Sequence, residues 1–132
     1  MNDPVATAPA GPERRFLDLL GEGRFEIQQC ADCRRFVFYP RSVCPHCSGT
    51  QLDWVAAKGS GTVYATTTVR RPKEAGGDYE VTLVDLDEGV RMMSTVEGLA
   101  PGSVPIGLRV VARVAPYGKA HRVVFRPLEG AA

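Results

Sequence analysis

The residues with the clearest chemistry in this sequence are its four cysteines. Cys30 and Cys33 form one Cys-x2-Cys pair, and Cys44 and Cys47 form a second pair after ten intervening residues. A pair with this spacing can place two thiolates on one ion, and two such pairs complete a tetrahedron with no open position. The pattern therefore predicts one structural metal ion, and zinc is the metal that such sites ordinarily hold.

Other interpretations of the same cysteines stay open at this point. Iron in a rubredoxin-like setting uses the same four sulfurs, and the cysteines could instead form two disulfides or a redox-active pair. In a reducing compartment, however, cysteines more often hold metal than form disulfides. His46 lies inside the second pair, and with four thiolates already present we expect it to be an exposed loop residue.

Composition and charge limit the classes of function. The chain has 132 residues, of which 44% are hydrophobic and 23% charged, as in a soluble globular protein. The net charge is +1, whereas nucleic-acid binders usually carry a marked basic excess. The first dozen residues are rich in Ala and Pro and lack the basic region and long apolar core of a signal peptide. The sequence therefore predicts a cytoplasmic protein.

The segments around the cysteines predict a ribbon of short strands preceded by a helix. Between Pro12 and Gly21 an apolar stripe that includes Phe16 and Leu17 predicts a helix, too short to be stable unless it docks on the rest of the chain. Apolar and polar residues then alternate before Cys30 and again over residues 51–56, which predicts strands on both sides of the cysteines.

The remainder of the sequence is β in character. Five strands are predicted, at residues 62–69, 79–86, 90–97, 108–114 and 121–127. This is the strand count of a small Greek-key barrel of the OB type, with Pro101 and Pro105 favouring a loop between the third and fourth strands. The predicted organisation is a tail at 1–12, a helix and metal ribbon at 13–57, a joint at 58–61, an OB-fold at 62–128 and a tail at 129–132.

A resemblance to a known family covers about residues 14–127. Its specific elements are the cysteine spacing, Gly59-x-Gly61-x-Val63-Tyr64 at the joint and Leu86-x-Glu88-Gly89-Val90 at a turn. Together they resemble a family, first catalogued as a domain of unknown function, that pairs a rubredoxin-like zinc ribbon with an acyl-CoA-associated OB-fold. The resemblance implies a structural zinc ion and an accessory subunit that forms complexes with thiolases, acyl-CoA hydratases or polyketide-type acyltransferases. Leu17 stands where members of that family often carry Trp.

No self-contained catalytic set is visible in the sequence. All four cysteines are assigned to the metal, so no thiol remains for acyl transfer. His121 opens the last predicted strand and is interpreted as an ordinary exposed residue. The GSG at 59–61 is interpreted as a joint, because no P-loop or Rossmann pattern surrounds it. The sequence therefore predicts no catalytic residues.

Given the resemblance, basic side chains are candidates for contact with coenzyme A. Arg70, Arg71 and Lys73 lie on one predicted loop, and arginine can hold phosphate oxygens in a bidentate way. We take this loop as the CoA-binding candidate, with a solvated surface or a protein contact as the alternative. Three further arginines on the ribbon (Arg34, Arg35 and Arg41) more simply form a solvated surface.

The leading hypothesis is a non-catalytic accessory subunit of an acyl-CoA-processing enzyme, with a thiolase as first choice of partner. The alternative is a nucleic-acid-binding zinc-ribbon/OB module. Single-strand binders of this fold place stacking aromatics on a basic groove along strands two and three. Here those strands carry one aromatic, Tyr79, and three carboxylates, Glu80, Asp85 and Glu97. A free-standing hydrolase or hydratase is a third interpretation, which lacks a base or nucleophile.

Overall fold

The computed structural model describes residues 11–128 as one helix and eight strands in two sheets. The elements are α1 (Pro12–Gly21), β1 (Glu26–Cys30), β2 (Phe36–Val37), β3 (Leu52–Ala56), β4 (Ser60–Val69), a 3-10 turn (Lys73–Ala75), β5 (Tyr79–Leu86), β6 (Arg91–Ser94), β7 (Arg109–Tyr117) and β8 (Ala120–Pro127). Within this range no helix has the length and apolar character needed to cross a bilayer. The predicted tails at 1–12 and 129–132 lie outside the described residues apart from Gly11 and Pro12, and Pro12 is the first residue of α1.

Helix α1 begins at Pro12 because the fixed φ of proline suits the first turn, where a backbone amide would have no helical partner. Its buried residues are Phe16, Leu19 and Leu20, and they pack the helix against β1 and β8. Leu17, which the sequence places in the same apolar stripe, is instead 39% exposed. It lies about 100° around the helix from Phe16 and so points away from this contact.

The first sheet is a three-stranded antiparallel ribbon in the order β2-β1-β3. Gln28 is buried in β1, and its side-chain amide pairs with the backbone of Arg41. The Gln28 oxygen accepts from the Arg41 amide at 2.7 Å, and the Gln28 nitrogen donates to the Arg41 carbonyl at 2.8 Å. This pair fixes the segment between the two cysteine pairs against the sheet.

The second sheet has the order β6-β5-β4-β7-β8, with every neighbouring pair antiparallel. A parallel bridge between Val96, just after β6, and Phe125 in β8 brings the two edges together. Residues 95–108 contain no helix, as Pro101 and Pro105 predicted. The predicted fold class is therefore confirmed: a mainly β chain with one short helix, a four-cysteine ribbon and a curled five-stranded sheet of the OB type.

The connection between the sheets is shorter than the KGSG motif indicates, because β4 already begins at Ser60. Gly59 has φ +88°, a conformation that favours glycine. Gly61 lies against β5, where an added Cβ would be 2.6 Å from the Asp85 carbonyl oxygen. Glycine at 61 is thus required by the close approach of two backbones.

The two halves share one hydrophobic core. Phe16, Leu20 and Ile27 from the helix and ribbon belong to the same buried cluster as Val63 and Phe125 of the barrel. Contiguous packing of this kind joins the ribbon and the barrel into a single cooperative unit.

Candidate functional site

The two cysteine pairs sit in two turns with the same backbone geometry. In each turn the amide four residues after the first cysteine donates to that cysteine's carbonyl, Arg34 to Cys30 at 2.8 Å and Ser48 to Cys44 at 2.9 Å. Both Arg34 and Ser48 adopt positive φ, 68° and 67°. The repeated turn points the four thiols toward one another, although neither turn has glycine at the left-handed position.

The four sulfur atoms form a cluster suited to one metal ion. All Sγ atoms of Cys30, Cys33, Cys44 and Cys47 lie within 4.8 Å of one another. The Cys30–Cys47 and Cys33–Cys44 separations are 3.5 and 3.7 Å. A tetrahedral ion with Zn–S bonds of about 2.3 Å requires sulfur separations of about 3.8 Å, whereas a disulfide requires about 2.05 Å. The cluster fits a bound zinc ion and not two disulfides.

The two thiols of the second pair differ in acidity. Burial opposes ionisation of Cys44, but hydrogen bonds from the backbone of His46 and Cys47 outweigh it and lower the pKa of the Cys44 thiol to about 7. A hydrogen bond from the Gly49 backbone lowers the pKa of Cys47, yet its contact with Cys30 and burial together raise that pKa to about 12. One divalent ion replaces the protons that these crowded thiols would otherwise share.

The imidazole of His46 is not part of the sulfur cluster, although its backbone amide donates to the Cys44 sulfur. It is exposed, as predicted, and its Nδ1 lies 3.4 Å from the Arg35 guanidinium. A closed set of four thiolates leaves no position for water or substrate, so the chemistry of such a zinc is to hold the ribbon together.

A cleft of about 950 Å³ lies where the helix, the ribbon and the barrel meet. Its walls come from three parts of the chain: the helix with Leu17, the ribbon with Tyr39, and the barrel strands with Tyr79, Met93 and Tyr117. The Tyr39 hydroxyl donates to Glu13 in the helix at 2.7 Å, and burial, with this carboxylate second, raises the pKa of Tyr39 to about 12. The cleft therefore exists only where the helix, ribbon and barrel are all in place.

The three predicted CoA-binding residues have different environments. Arg70 is paired with Asp78 at 2.7 Å. Arg71 instead lies over the Tyr79 ring, 5.0 Å from its centre, and lines the cleft. Lys73 begins an exposed 3-10 turn. Hydrogen bonds within the loop, from Gly76 and Gly77 to carbonyls, hold its backbone in a defined turn.

Two residues, Glu80 and His121, have environments that the sequence analysis did not predict. Glu80, counted above among surface carboxylates, is only 6% exposed and faces the barrel interior. It accepts hydrogen bonds from the hydroxyls of Thr66 and Thr68 and from the Gly102 amide. His121 is half-buried in the cleft wall rather than exposed. The alternation of β5 would have placed Glu80 inside, because Thr82 and Val84 share its face.

The β5–β6 turn holds the connection between ribbon and barrel. Asp87 accepts a bidentate pair from Arg109 at 2.8 and 2.9 Å and a hydrogen bond from the Ser60 hydroxyl at 2.6 Å. These contacts, Arg109 first, hold the pKa of the Asp87 carboxyl well below its usual range. Glu88 accepts from the Lys58 amide at 2.6 Å. The Leu86-x-Glu88-Gly89-Val90 motif is therefore a structural clamp on the joint motif.

Comparisons with known proteins agree with this arrangement. The family model of the ChsH2 rubredoxin-like zinc ribbon domain matches residues 17–53, and that of the ChsH2 C-terminal OB-fold domain matches residues 54–115. The four clustered cysteines are thus the structural zinc site of a rubredoxin-like ribbon.

Similar proteins carry several names. A probable enoyl-CoA hydratase alpha subunit from Thermomonospora curvata is 38% identical over 90 residues, 67% of this chain and 28% of that protein. A DUF35 domain-containing scaffold protein from Methanocaldococcus jannaschii is 31% identical over 88 residues, 64% of this chain and 62% of that protein. The chain therefore spans less than two thirds of the length of either relative.

Among solved structures, a chain of the Ltp2-ChsH2(DUF35) aldolase is similar with a TM-score of 0.79 and 32% identity. The match covers 91% of this chain and 97% of that one. With both parts of the ChsH2 model matched and nearly the whole of that structure covered, the chain belongs to the DUF35 family and has its ChsH2-type pairing of a zinc ribbon with an OB-fold.

Proposed function

We propose that this chain is a non-catalytic accessory subunit of an acyl-CoA-processing enzyme, with which it forms a hetero-oligomer. The observation that carries the proposal is the near full-length match to the ChsH2(DUF35) chain of a structure named for an aldolase. The names of two sequence relatives, a hydratase alpha subunit and a scaffold protein, support the same class of role.

The chemistry of the described residues favours an accessory role over independent catalysis. Every cysteine of the sequence lies in the closed zinc site, so no thiol is available to accept an acyl group. His46 contacts an arginine, and His121 has no carboxylate within hydrogen-bonding distance among residues 11–128. A nucleophile, a base and a third group that orients the base are not brought together in this range.

A thiolase-type subunit is the partner that we propose first, on the basis of the family resemblance. A hydratase-type and an aldolase-type subunit are the partners that the names of the relatives indicate. We further propose that the loop carrying Arg70, Arg71 and Lys73 contacts the CoA phosphates in the assembled enzyme. Thiolate-bound zinc and thioester substrates both suit the reducing cytoplasm, where we place the complex.

Co-expression tests the proposal directly. The tagged chain is produced with a thiolase-type, a hydratase-type or an aldolase-type subunit, and each pair is examined by co-purification, sedimentation and acyl-CoA turnover. We expect one stable complex whose activity depends on this chain, and no turnover of acyl-CoA thioesters by the chain alone. Failure of all three pairs, or turnover by the isolated chain that His121→Ala abolishes, would overturn the proposal.

A further inference from the structure

Exposed apolar side chains are concentrated in the cleft. Among the described residues, eight large hydrophobic side chains are exposed, and five of them line this one feature. These five, which we call the cleft face, are Leu17, Tyr39, Tyr79, Met93 and Tyr117. Single exposed apolar residues are normal on a protein surface, whereas a contiguous group of them marks a binding surface.

The cleft face carries positive charge that its own acids do not neutralise. Arg71 stacks over Tyr79, and Arg122 stacks over Tyr117 with its guanidinium carbon 4.2 Å from the ring centre. Within residues 11–128 neither arginine forms an ion pair. Glu80 is the one acid on the cleft wall, and its carboxylate already accepts from two threonines and a backbone amide. The aromatic rings therefore position two cations whose charge remains available to an external anion.

We propose that the cleft face is the docking surface for a partner protein that presents apolar side chains flanked by carboxylates. Tyrosine, methionine and arginine are the residue types enriched in protein interfaces and in their energetically dominant positions. Met93 and Tyr117 are 67% and 60% exposed, so they protrude from the surface. In contrast, the side chains that line a small-molecule pocket are mostly enclosed. This inference rests on the proposed function, which supplies the partner as the catalytic subunit.

The zinc ion prepares this surface without touching it. Tyr39 follows β2 in the ribbon and is held to the helix through Glu13, while Met93 and Tyr117 stand on the barrel. Without its metal the ribbon is no longer ordered, and Tyr39 no longer forms one wall of the cleft. The free energy needed to order the ribbon then reduces the free energy of binding. Zinc removal should therefore weaken the complex, although none of the four cysteines lines the cleft.

The test compares substitutions on the cleft face with matched substitutions elsewhere. Met93→Asp and Tyr117→Asp place a carboxylate among apolar contacts and beside a partner that is itself acidic, and each should weaken the complex at least tenfold. Ile106→Asp is the control, since Ile106 is 70% exposed and lies outside the cleft. Arg122→Glu should weaken the complex most at low salt, and Arg126→Glu, exposed on the same strand and outside the cleft, should not.

The outcomes separate this inference from the proposed function. If the wild-type complex forms and the cleft variants retain it, the docking surface is wrong and the accessory role stands. If no candidate subunit binds the wild-type chain, the accessory role is wrong, and a synthetic amphipathic helix with leucines on one face then decides the surface. A version of this peptide with glutamates beside the leucines should bind the wild-type chain and bind the Met93→Asp variant more weakly. Equal binding of a version with lysines in place of the glutamates, or no binding at all, would overturn the proposed docking surface.

Other occupants of the cleft give different results in the same variants. Calorimetric binding of octanoyl-CoA that Met93→Asp abolishes would assign the cleft to a ligand. A wild-type dimer in sedimentation that becomes monomeric in Met93→Asp would assign it to a second copy. Binding of fluorescent oligothymidylate that Tyr117→Asp abolishes would assign it to nucleic acid. Each of these results would overturn the proposal of an acidic protein partner.

Discussion

Replacing the buried carboxylate Glu80 by the isosteric amide in Glu80→Gln tests how the barrel is held together. Both oxygens of Glu80 accept hydrogen bonds, one from Thr66 and the other from Thr68 and Gly102, the latter two at 2.8 Å. Thr66 and Thr68 belong to β4, and Gly102 belongs to the loop before β7. The carboxylate thus joins three segments, and it does so without a cation in contact.

The magnitude follows from the number and type of these bonds. A glutamine offers one acceptor oxygen in place of two, and its neutral oxygen forms weaker bonds than a carboxylate. Hydrogen bonds to a charged group contribute about 1.5–3 kcal/mol and neutral ones about 0.5–1.5 kcal/mol, so two weakened bonds and one rearranged bond lower the free energy of unfolding by about 2 kcal/mol. For a domain of this size that corresponds to a decrease in Tm of roughly 7 °C.

The pH dependence supplies a second readout. The Thr66 hydroxyl first, then the Gly102 amide and Thr68, lower the pKa of Glu80 below its usual value of 4.5. A carboxyl with a lowered folded pKa stabilises the protein above its unfolded pKa and loses that contribution as the pH falls through the folded pKa. The difference between wild type and Glu80→Gln should therefore be full at pH 7 and shrink in acid below about pH 4.5.

Urea unfolding followed by circular dichroism, with zinc in excess, measures this difference. Acid releases zinc from both proteins, so the comparison is made between wild type and variant at each pH. Glu74→Gln, an exposed carboxylate in the 3-10 turn, serves as the control and should stay within about 0.5 kcal/mol of wild type. A Glu80→Gln protein as stable as this control at pH 7, or a difference that grows in acid, would refute the reasoning.

Three further predictions concern the metal, the joint and the loop. Cys44→Ser should reduce bound zinc from about one per chain to none and unfold the ribbon, whereas the control His46→Ala should keep the metal. Elemental analysis measures the zinc content. A normally folded Cys44→Ser protein without metal would contradict the structural role of zinc. Gly61→Ala should lower the free energy of unfolding by at least about 1 kcal/mol, because the added Cβ would meet the Asp85 carbonyl oxygen. The control Gly21→Ala should not lower it, because no atom lies within 4 Å of the added Cβ. Arg70→Glu with Lys73→Glu, both outside the cleft, should raise the apparent KM of the assembled enzyme for acyl-CoA without changing zinc content, and an unchanged KM would remove the loop from CoA binding.

The parts of the fold that local sequence patterns specify were predictable. Cysteine spacing alone predicted the zinc site, because two Cys-x2-Cys turns can place four sulfurs on one ion without reference to the rest of the chain. Alternating β-branched residues predicted the five barrel strands within a few residues. The strand bounds differ most at the ends of β6 and β7: β6 was predicted to end at residue 97 and ends at Ser94, and β7 was predicted to end at residue 114 and ends at Tyr117. In the structure Tyr117 pairs with Ala120, which leaves only Gly118 and Lys119 in the turn.

The parts that depend on long-range packing were not predictable from one sequence. The alternation of β5 indicates the buried face for Glu80, but its three hydrogen-bond partners lie 12 to 22 residues away and are not indicated by any local pattern. The cleft was equally hidden, since Leu17 and Tyr117 are separated by most of the chain and meet only through tertiary structure. Arg70, Arg71 and Lys73 lie on one short loop, yet the first forms an ion pair, the second lies over a tyrosine ring and the third begins an exposed turn. These different environments could not be predicted from their positions along the chain.

The packing of α1 against β8 joins the first and last described elements of the chain. During synthesis the helix leaves the ribosome about a hundred residues before β8, and the second cysteine pair about seventy residues before it. Zinc can therefore bind while the apolar side of the helix lacks its partner strand β8. Phe16 and Leu20 remain open to solvent until residues 120–127 emerge and Phe125 closes the barrel. A nascent chain with a finished metal turn and an unfinished core is prone to wrong associations in that interval. A translational pause before β8 should therefore lower the yield of soluble protein more than a pause after β8.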